Sequence, residues 1–327
     1  MMKKLLLKYY PGVRRLKLLH LAYNIANYKK LKSNKSLYKV AGIKKNITQH
    51  LAHKDFKGIG SKEIPWLDKP NAQSKLINSE HYCSFNKQAK EQINNWIKNG
   101  YAIFNSYLDE STIDSVNQEI ETIIANQKIS FEYSKQRLMN AYKYSNTIKN
   151  IANDESLTRF LRFLLGRDVL PFQTINFITG SETKAHADII HMTTEPKGYL
   201  IGVWIALEDV MLEAGPLFYI PGSHKLPYVM SDQFETGNTW WKTGEQYYEN
   251  YEACIEQQIK KKKLQKKPFL AKRGDLIIWH ANLLHGGMPV IDEALTRKSL
   301  VIHYFAKDVI CYHEITQRPA IIPSDFL

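Results

Sequence analysis

Two short stretches carry the side chains that could hold a transition metal: Lys184–His191, reading KAHADIIH, and Trp279–Pro289, reading WHANLLHGGMP. A divalent iron that must accept both a cosubstrate and dioxygen needs half of its octahedron open, and two neutral imidazoles with one carboxylate on one side provide that. His186 and Asp188 are two residues apart, so on extended chain both side chains leave one face while Ala187 points away. The third donor must then come from a distant segment, from among His191, His224, His280, His285 and His303. His191 is an odd step from Asp188, and His224 sits in the turn PGSH, where an imidazole more often ties down loop backbone. His280 and His285 are five apart and would face opposite ways on continuous strand, whereas His303 shares a face with Arg297, Ser299 and Val301. Spacing leaves His285, His280 and His303 all open.

Arg297 adds a second kind of chemistry. A guanidinium facing a sheet interior is costly unless it pairs with an anion, and its planar fork suits a carboxylate held through two hydrogen bonds. Ser299, two residues on and on the same face, supplies a hydroxyl donor.

The elements that must position these groups fall into two textures. Before Pro171 the pattern is helical: Phe85, Ala89, Ile93 and Trp96–Ile97 up to Gly100, then Leu108, Ile113, Val116, Ile120 and Ile123, then Phe160 to Gly166. After it come short β-type runs broken by turn signals: FQTINFI, GYLIGVWIAL, PLFYI, DLIIW and SLVIHYF. Several strands without crossover helices predict an all-β sandwich or barrel rather than a parallel α/β sheet. A charged, aromatic insert over about 231–267, with Trp240, Trp241, Tyr247, Tyr248 and Tyr251, interrupts the sheet. Those rings suit packing on the barrel, or stacking on an apolar or sugar ring.

The formal charge of +13 is not spread along the chain. Residues 1–50 hold 13 Lys and Arg and no acid, leaving 32 basic against 32 acidic residues in the remainder. We therefore divide the chain into a basic N-terminal arm, 1–57, and a main domain, 58–327, after the turn residues Gly58 and Gly60. Within the arm, Leu18, Leu21, Ala22, Ile25 and Tyr28 recur at helical spacing among lysines and arginines, as in a helix lying on an anionic lipid surface or packed on the body. No nucleic-acid-binding module follows the arm, so a nucleic-acid partner is not expected. Three widely separated cysteines suggest neither a disulfide framework nor a thiolate zinc site. Together with the lack of a long apolar run or a secretory leader, they point to the cytoplasm, with the arm allowing a peripheral place on a membrane.

Taken in order, WIKNGYAIFNSYLDESTIDSV, AHAD, WIALEDVMLEAGPLFYIPGSHK, GDLIIWHANLLHGGMP and TRKSLVIHYF resemble the phytanoyl-CoA dioxygenase family of iron(II)- and 2-oxoglutarate-dependent oxygenases. The likeness covers about residues 86–310 and omits the arm and the insert. It implies a mainly β fold with flanking helices around a double-stranded β-helix, the cupin-like jelly roll. It places the metal ligands on His186, Asp188 and His285, and the cosubstrate-binding groups on Arg297, Ser299 and Trp204. The cofactors it implies are Fe(II), 2-oxoglutarate and O2, with ascorbate as a candidate reductant. Because Asp188 retains the carboxylate that related halogenases replace with a small residue, hydroxylation is the expected outcome. Gly287 departs from the members that carry a serine near the cosubstrate. The substrate expected is a small molecule, with a preference for a membrane-associated lipid, glycolipid or glycan precursor. The competing readings are a cupin-like metal enzyme that does not use 2-oxoglutarate and a catalytically silent membrane adaptor.

Overall fold

The computed structural model describes residues 15–129, 131 and 137–322. Lys3, Lys4, Lys8 and Arg14 of the basic arm lie outside the described residues. The helices of ten residues or more are α1 (Lys17–Ala26), α2 (Lys87–Asn99), α3 (Glu110–Ala125), α4 (Glu155–Leu165) and α5 (Tyr247–Lys261). The strands are β1 (Tyr101–Phe104), β2 (Arg137–Met139), β3 (Val169–Phe177), β4 (Thr193–Glu195), β5 (Leu200–Ala206), β6 (Leu217–Tyr219), β7 (Lys267–Pro268), β8 (Leu276–His280), β9 (His285–Gly287), β10 (Ser299–Ala306), β11 (Ile310–His313) and β12 (Arg318–Pro319).

Local chemistry sets the helix ends. Asn86, Asp109 and Asp154 each accept a backbone N–H from the first turn of α2, α3 and α4, respectively. Helices α2 and α4 stop at Gly100 and Gly166, whose φ of 81° and 69° lie in the left-handed region that glycine adopts without strain. The buried stripes, Ala89, Ile93 and Trp96 on α2 and Ile113, Val116, Ile120 and Ile123 on α3, share one core with a six-stranded antiparallel sheet.

That sheet runs β1-β8-β5-β10-β3-β2, and alternation splits its residues between two faces. Leu300, Ile302 and Tyr304 of β10, with Val203, Ile205 and Ile278, face the helices. Each such side chain contributes roughly 1.5–3 kcal/mol by leaving water. The other face turns Tyr101, Phe177, Trp204, Ile277, Trp279 and Val301 inward, against Leu217 and Tyr219 of a second sheet ordered β7-β6-β9. Two antiparallel sheets closing on one interior form the jelly-roll core. Phe218, pointing the opposite way from its neighbours on β6, packs beneath α5 with Tyr247, Tyr251, Ile255 and Ile259. A third sheet, β12-β11-β4, carries Ile310 and Tyr312, against which Leu31, Tyr38, Ile47, Leu51 and Phe56 of the arm are buried.

Candidate metal centre

His186 and His285 arrive at the interior from different directions and are joined through the backbone: His186 N donates to His285 O at 3.0 Å and His285 N to His186 O at 2.9 Å. Their rings stand 4.5 Å apart. Ala187 is extended, with φ −108° and ψ 139°, so His186 and Asp188 leave the same face while Ala187 enters the core under α5. His186, Asp188 and His285 offer donor atoms that all lie within 4.8 Å of one another.

The imidazole tautomers follow from the backbone. Nδ1 of His186 lies 2.8 Å from Lys184 O and Nδ1 of His285 lies 3.0 Å from Leu283 O. A carbonyl only accepts, so both Nδ1 atoms carry the proton and both Nε2 lone pairs are free. These Nε2 atoms lie 3.8 and 3.6 Å from Asp188 Oδ1. Burial, reinforced by the charge of His285, lowers the His186 pKa to about 4, so its ring is a neutral donor at neutral pH.

Asp188 is secured on its other oxygen. Trp279 Nε1 donates to Oδ2 at 2.7 Å, and His303 Nε2 lies 3.4 Å from the same atom. Burial alone would raise this carboxyl, but His285, His303 and His186 outweigh it and hold the group below the usual carboxylate range. Oδ1 is thereby left for a metal. The Trp279 indole reaches this position because Gly202, its cross-strand partner on β5, has no side chain; a Cβ there would fall inside the ring.

The anion-binding residues lie on the same inner face. Ser299 pairs with Ala206 and Phe177, and Val301 with Trp204, so Ser299, Val301 and His303 follow one another along the interior of β10. Arg297 precedes that strand, held by its own N–H to Ile178 O at 2.8 Å. Glu208 fixes the approach by accepting from Thr296 Oγ1 and Lys298 N. Arg297 is 2% exposed, its guanidinium lies 5.3 Å from the Phe177 ring centre and 5.8 Å from that of Trp204, and no carboxylate among the described residues forms an ion pair with it. Burial, and then the charge of Arg137, pull its pKa down to about 10, so it remains a cation at neutral pH. Arg297 Nε, Ser299 Oγ and Trp204 Nε1 are all buried without a hydrogen-bond partner among the described residues. Such donors cost free energy unless something accepts from them. A bound carboxylate satisfies the requirement, and a keto acid also suits the open side of the His–Asp–His set, so the residues fit the implied iron and 2-oxoglutarate.

The remaining histidines sort clearly. His280 Nδ1 accepts from Asn282 N at 3.0 Å and its Nε2 faces Asp68 Oδ2 at 3.0 Å, away from the triad. His224 packs against Gly100, where a Cβ would strike its ring. His191 follows the 3-10 turn Asp188–Ile190, so strand parity does not apply to it; its ring lies 5.8 Å from His186, 5.1 Å from Tyr248 and 5.6 Å from His313. His303 enters the interior but touches Asp188 rather than joining the triad. At Gly287 a Cβ would meet Ser181 Oγ at 2.7 Å, so that hydroxyl occupies the space a side chain would need. Spacing does not single out Trp279, whose inward position comes from its register opposite Gly202.

A profile of the phytanoyl-CoA dioxygenase family matches residues 96–298. Phytanoyl-CoA dioxygenase domain-containing protein 1 of Bos taurus is 56% identical over 45 residues, which is 14% of this chain and 16% of that protein. The match thus spans less than a fifth of that relative's length. Among solved structures, EctD from S. alaskensis in its apoform superposes with a TM-score of 0.55 at 18% identity, over 73% of this chain and 86% of that one. The epimerase SnoN in complex with Fe3+, alpha ketoglutarate and nogalamycin RO superposes with a TM-score of 0.52 at 18% identity, over 68% of this chain and 85% of that one. At such identities these likenesses establish the fold.

Proposed function

The chain belongs to the phytanoyl-CoA dioxygenase family, and from that membership we propose that it is an iron(II)- and 2-oxoglutarate-dependent oxygenase that hydroxylates an organic small molecule. The observation that carries this reading is the pairing of a buried His186–Asp188–His285 set with a buried, unpaired Arg297 on the same interior. A metal enzyme without a dicarboxylate cosubstrate has no use for that arginine, and a silent adaptor has no use for either group.

His186, Asp188 and His285 would hold the iron, and Arg297 with Ser299 and Trp204 would hold the far carboxylate of the cosubstrate. When bound, iron and 2-oxoglutarate together supply the oxidising power by which dioxygen hydroxylates an unactivated carbon, with succinate and carbon dioxide as coproducts. The chain's own work is positional. Trp279 keeps Asp188 turned so that one oxygen is presented, and the carbonyls of Lys184 and Leu283 keep both Nε2 lone pairs inward. Phe177, Trp204, Tyr101 and Val301 exclude water from the pocket, which strengthens the grip of Arg297.

The substrate we favour is a lipid, glycolipid or glycan precursor met at the cytoplasmic face of a membrane. The acid-free residues 1–50 of the arm and the exposed rings of Trp240 and Trp241 support this. No helix among the described residues is long and apolar enough to cross a bilayer. The reading is tested by succinate release from 2-oxoglutarate by iron-loaded protein, with a set of lipid and glycan acceptors added in turn. Acceptor-stimulated succinate supports it; a protein that never consumes 2-oxoglutarate contradicts it.

A further inference from the structure

Helix α1 is mounted in the opposite sense to a helix that merely packs on a domain. Its buried positions are Lys17, His20 and Asn24, spaced as one polar stripe. Lys17 Nζ donates to Thr239 O at 2.7 Å, fastening this side to the insert, and Asn24 Nδ2 donates to Thr48 O at 2.9 Å, later in the arm. The other side displays Leu18 and Ile25, exposed by 64% and 57%, with Ala22 between them at helical spacing and Leu19 and Tyr23 beside them. A domain helix normally buries its apolar stripe; here the apolar stripe faces outward.

The insert contributes to the same surface. Leu16 and Lys242 form an antiparallel bridge, Lys17 N donates to Trp241 O at 2.8 Å, and Thr243 N donates to Arg15 O at 2.9 Å. This short ladder sets Trp240, 84% exposed, and Trp241 beside the first turn of α1. Beyond the helix, Lys29, Lys30, Lys32, Lys35 and Lys39 are exposed and form no ion pair among the described residues. Residues 15–50 contain no acid, and the nearby Glu245 is taken up by Arg15 at 2.7 Å.

We propose that the outward face of α1, together with Trp240 and Trp241, docks on an anionic lipid bilayer. Leucine and isoleucine enter the acyl boundary, tryptophans sit at headgroup depth, and the lysine row meets the anionic headgroups. Protein interfaces are depleted in lysine, so exposed lysines following a helix that displays leucine and isoleucine beside tryptophan fit a bilayer better than a protein partner. The inference deepens the membrane-met substrate above and rests on that reading for its purpose, although the docking itself is read independently of turnover.

The test is co-sedimentation of the full chain with phosphatidylcholine vesicles and with vesicles containing about a third phosphatidylserine. The wild type should bind the anionic vesicles only, and more weakly as salt rises. Ile25→Glu, Trp240→Ser, and the joint change of Lys29, Lys30 and Lys32 to Glu should each weaken binding by about tenfold or more. All of these positions are solvent-exposed, and unchanged thermal unfolding checks that each variant is folded. Succinate release from 2-oxoglutarate in vesicle-free solution should be the same in wild type and variants. Absence of wild-type binding, equal binding to neutral vesicles, or unaltered binding by the folded variants would overturn the proposal. Self-association in gel filtration that Ile25→Glu abolishes would overturn it too, by assigning the face to a second copy of the chain. Loss of 2-oxoglutarate chemistry with vesicle binding retained would instead remove the oxygenase reading and leave the docking surface in place.

Discussion

Trp279 on β8 donates its indole N–H to Oδ2 of Asp188 at 2.7 Å, and in doing so decides which carboxylate oxygen faces His186 and His285. A hydrogen bond to an ionised group contributes about 1.5–3 kcal/mol. Trp279→Phe keeps the ring's bulk and removes only the donor. The expected result is iron affinity lowered by roughly 10- to 100-fold with a folded protein, measured by equilibrium titration with Fe(II) under anaerobic conditions.

Gly202 gives that indole its place, since any Cβ would overlap the ring. Gly202→Ala should therefore act at a distance, lowering both the melting temperature and the iron affinity. An alanine variant with unchanged melting temperature and full iron affinity would show that the close approach of strand and indole is not needed.

Arg297 and His280 should separate cosubstrate binding from architecture. Arg297→Ala removes a buried cation aimed at a carboxylate, so the apparent affinity for 2-oxoglutarate should fall by about a hundredfold, the scale of truncating a buried charge pair, while iron binding stays close to wild type. His280→Ala breaks the link to Asp68 and should destabilise the fold by about 1–3 kcal/mol without altering iron stoichiometry.

Acid should destabilise the chain through buried histidines that are not part of the metal triad. Burial pushes His224 and His313 down to about 3 and His50 to about 4, each below the ordinary value of 6.5. A group whose folded pKa is lowered is protonated first in the unfolded chain, so the unfolded state binds more protons as the medium acidifies. Stability is present in full above about pH 6.5 and is lost progressively as the pH falls toward 4 and below. Thermal unfolding across that range should show a steadily falling melting temperature, and a flat profile would contradict it.

Much of this was legible in the sequence, and the gaps have physical causes. The helices ending at Gly100 and Gly166 and the long strands β3, β5, β8 and β10 stand where periodicity and turn residues put them. Strands of two to four residues, such as β4, β9 and β12, are too short to show a period, and β9 reads HGG. The choice among His280, His285 and His303 was closed to parity because β8 and β9 belong to different sheets, joined by a turn over 281–284. The resemblance singled out His285, and the backbone exchange with His186 explains it. Register sets Gln173 beside His303 on the inner face and Asn176 beside Leu300 on the outer one. Spacing in α1 displayed an apolar stripe but not its direction, since nothing local reveals that Lys17 finds a partner in the insert at Thr239 and Asn24 one later in the arm at Thr48.

The most direct test of the central claim is anaerobic addition of 2-oxoglutarate to the iron(II)-loaded protein, watched for the weak visible charge-transfer band of a keto-acid chelate. The band should form in the wild type, be lost in His285→Ala, and require far more 2-oxoglutarate in Arg297→Ala. A wild-type protein that binds iron yet never develops the band would contradict the assignment.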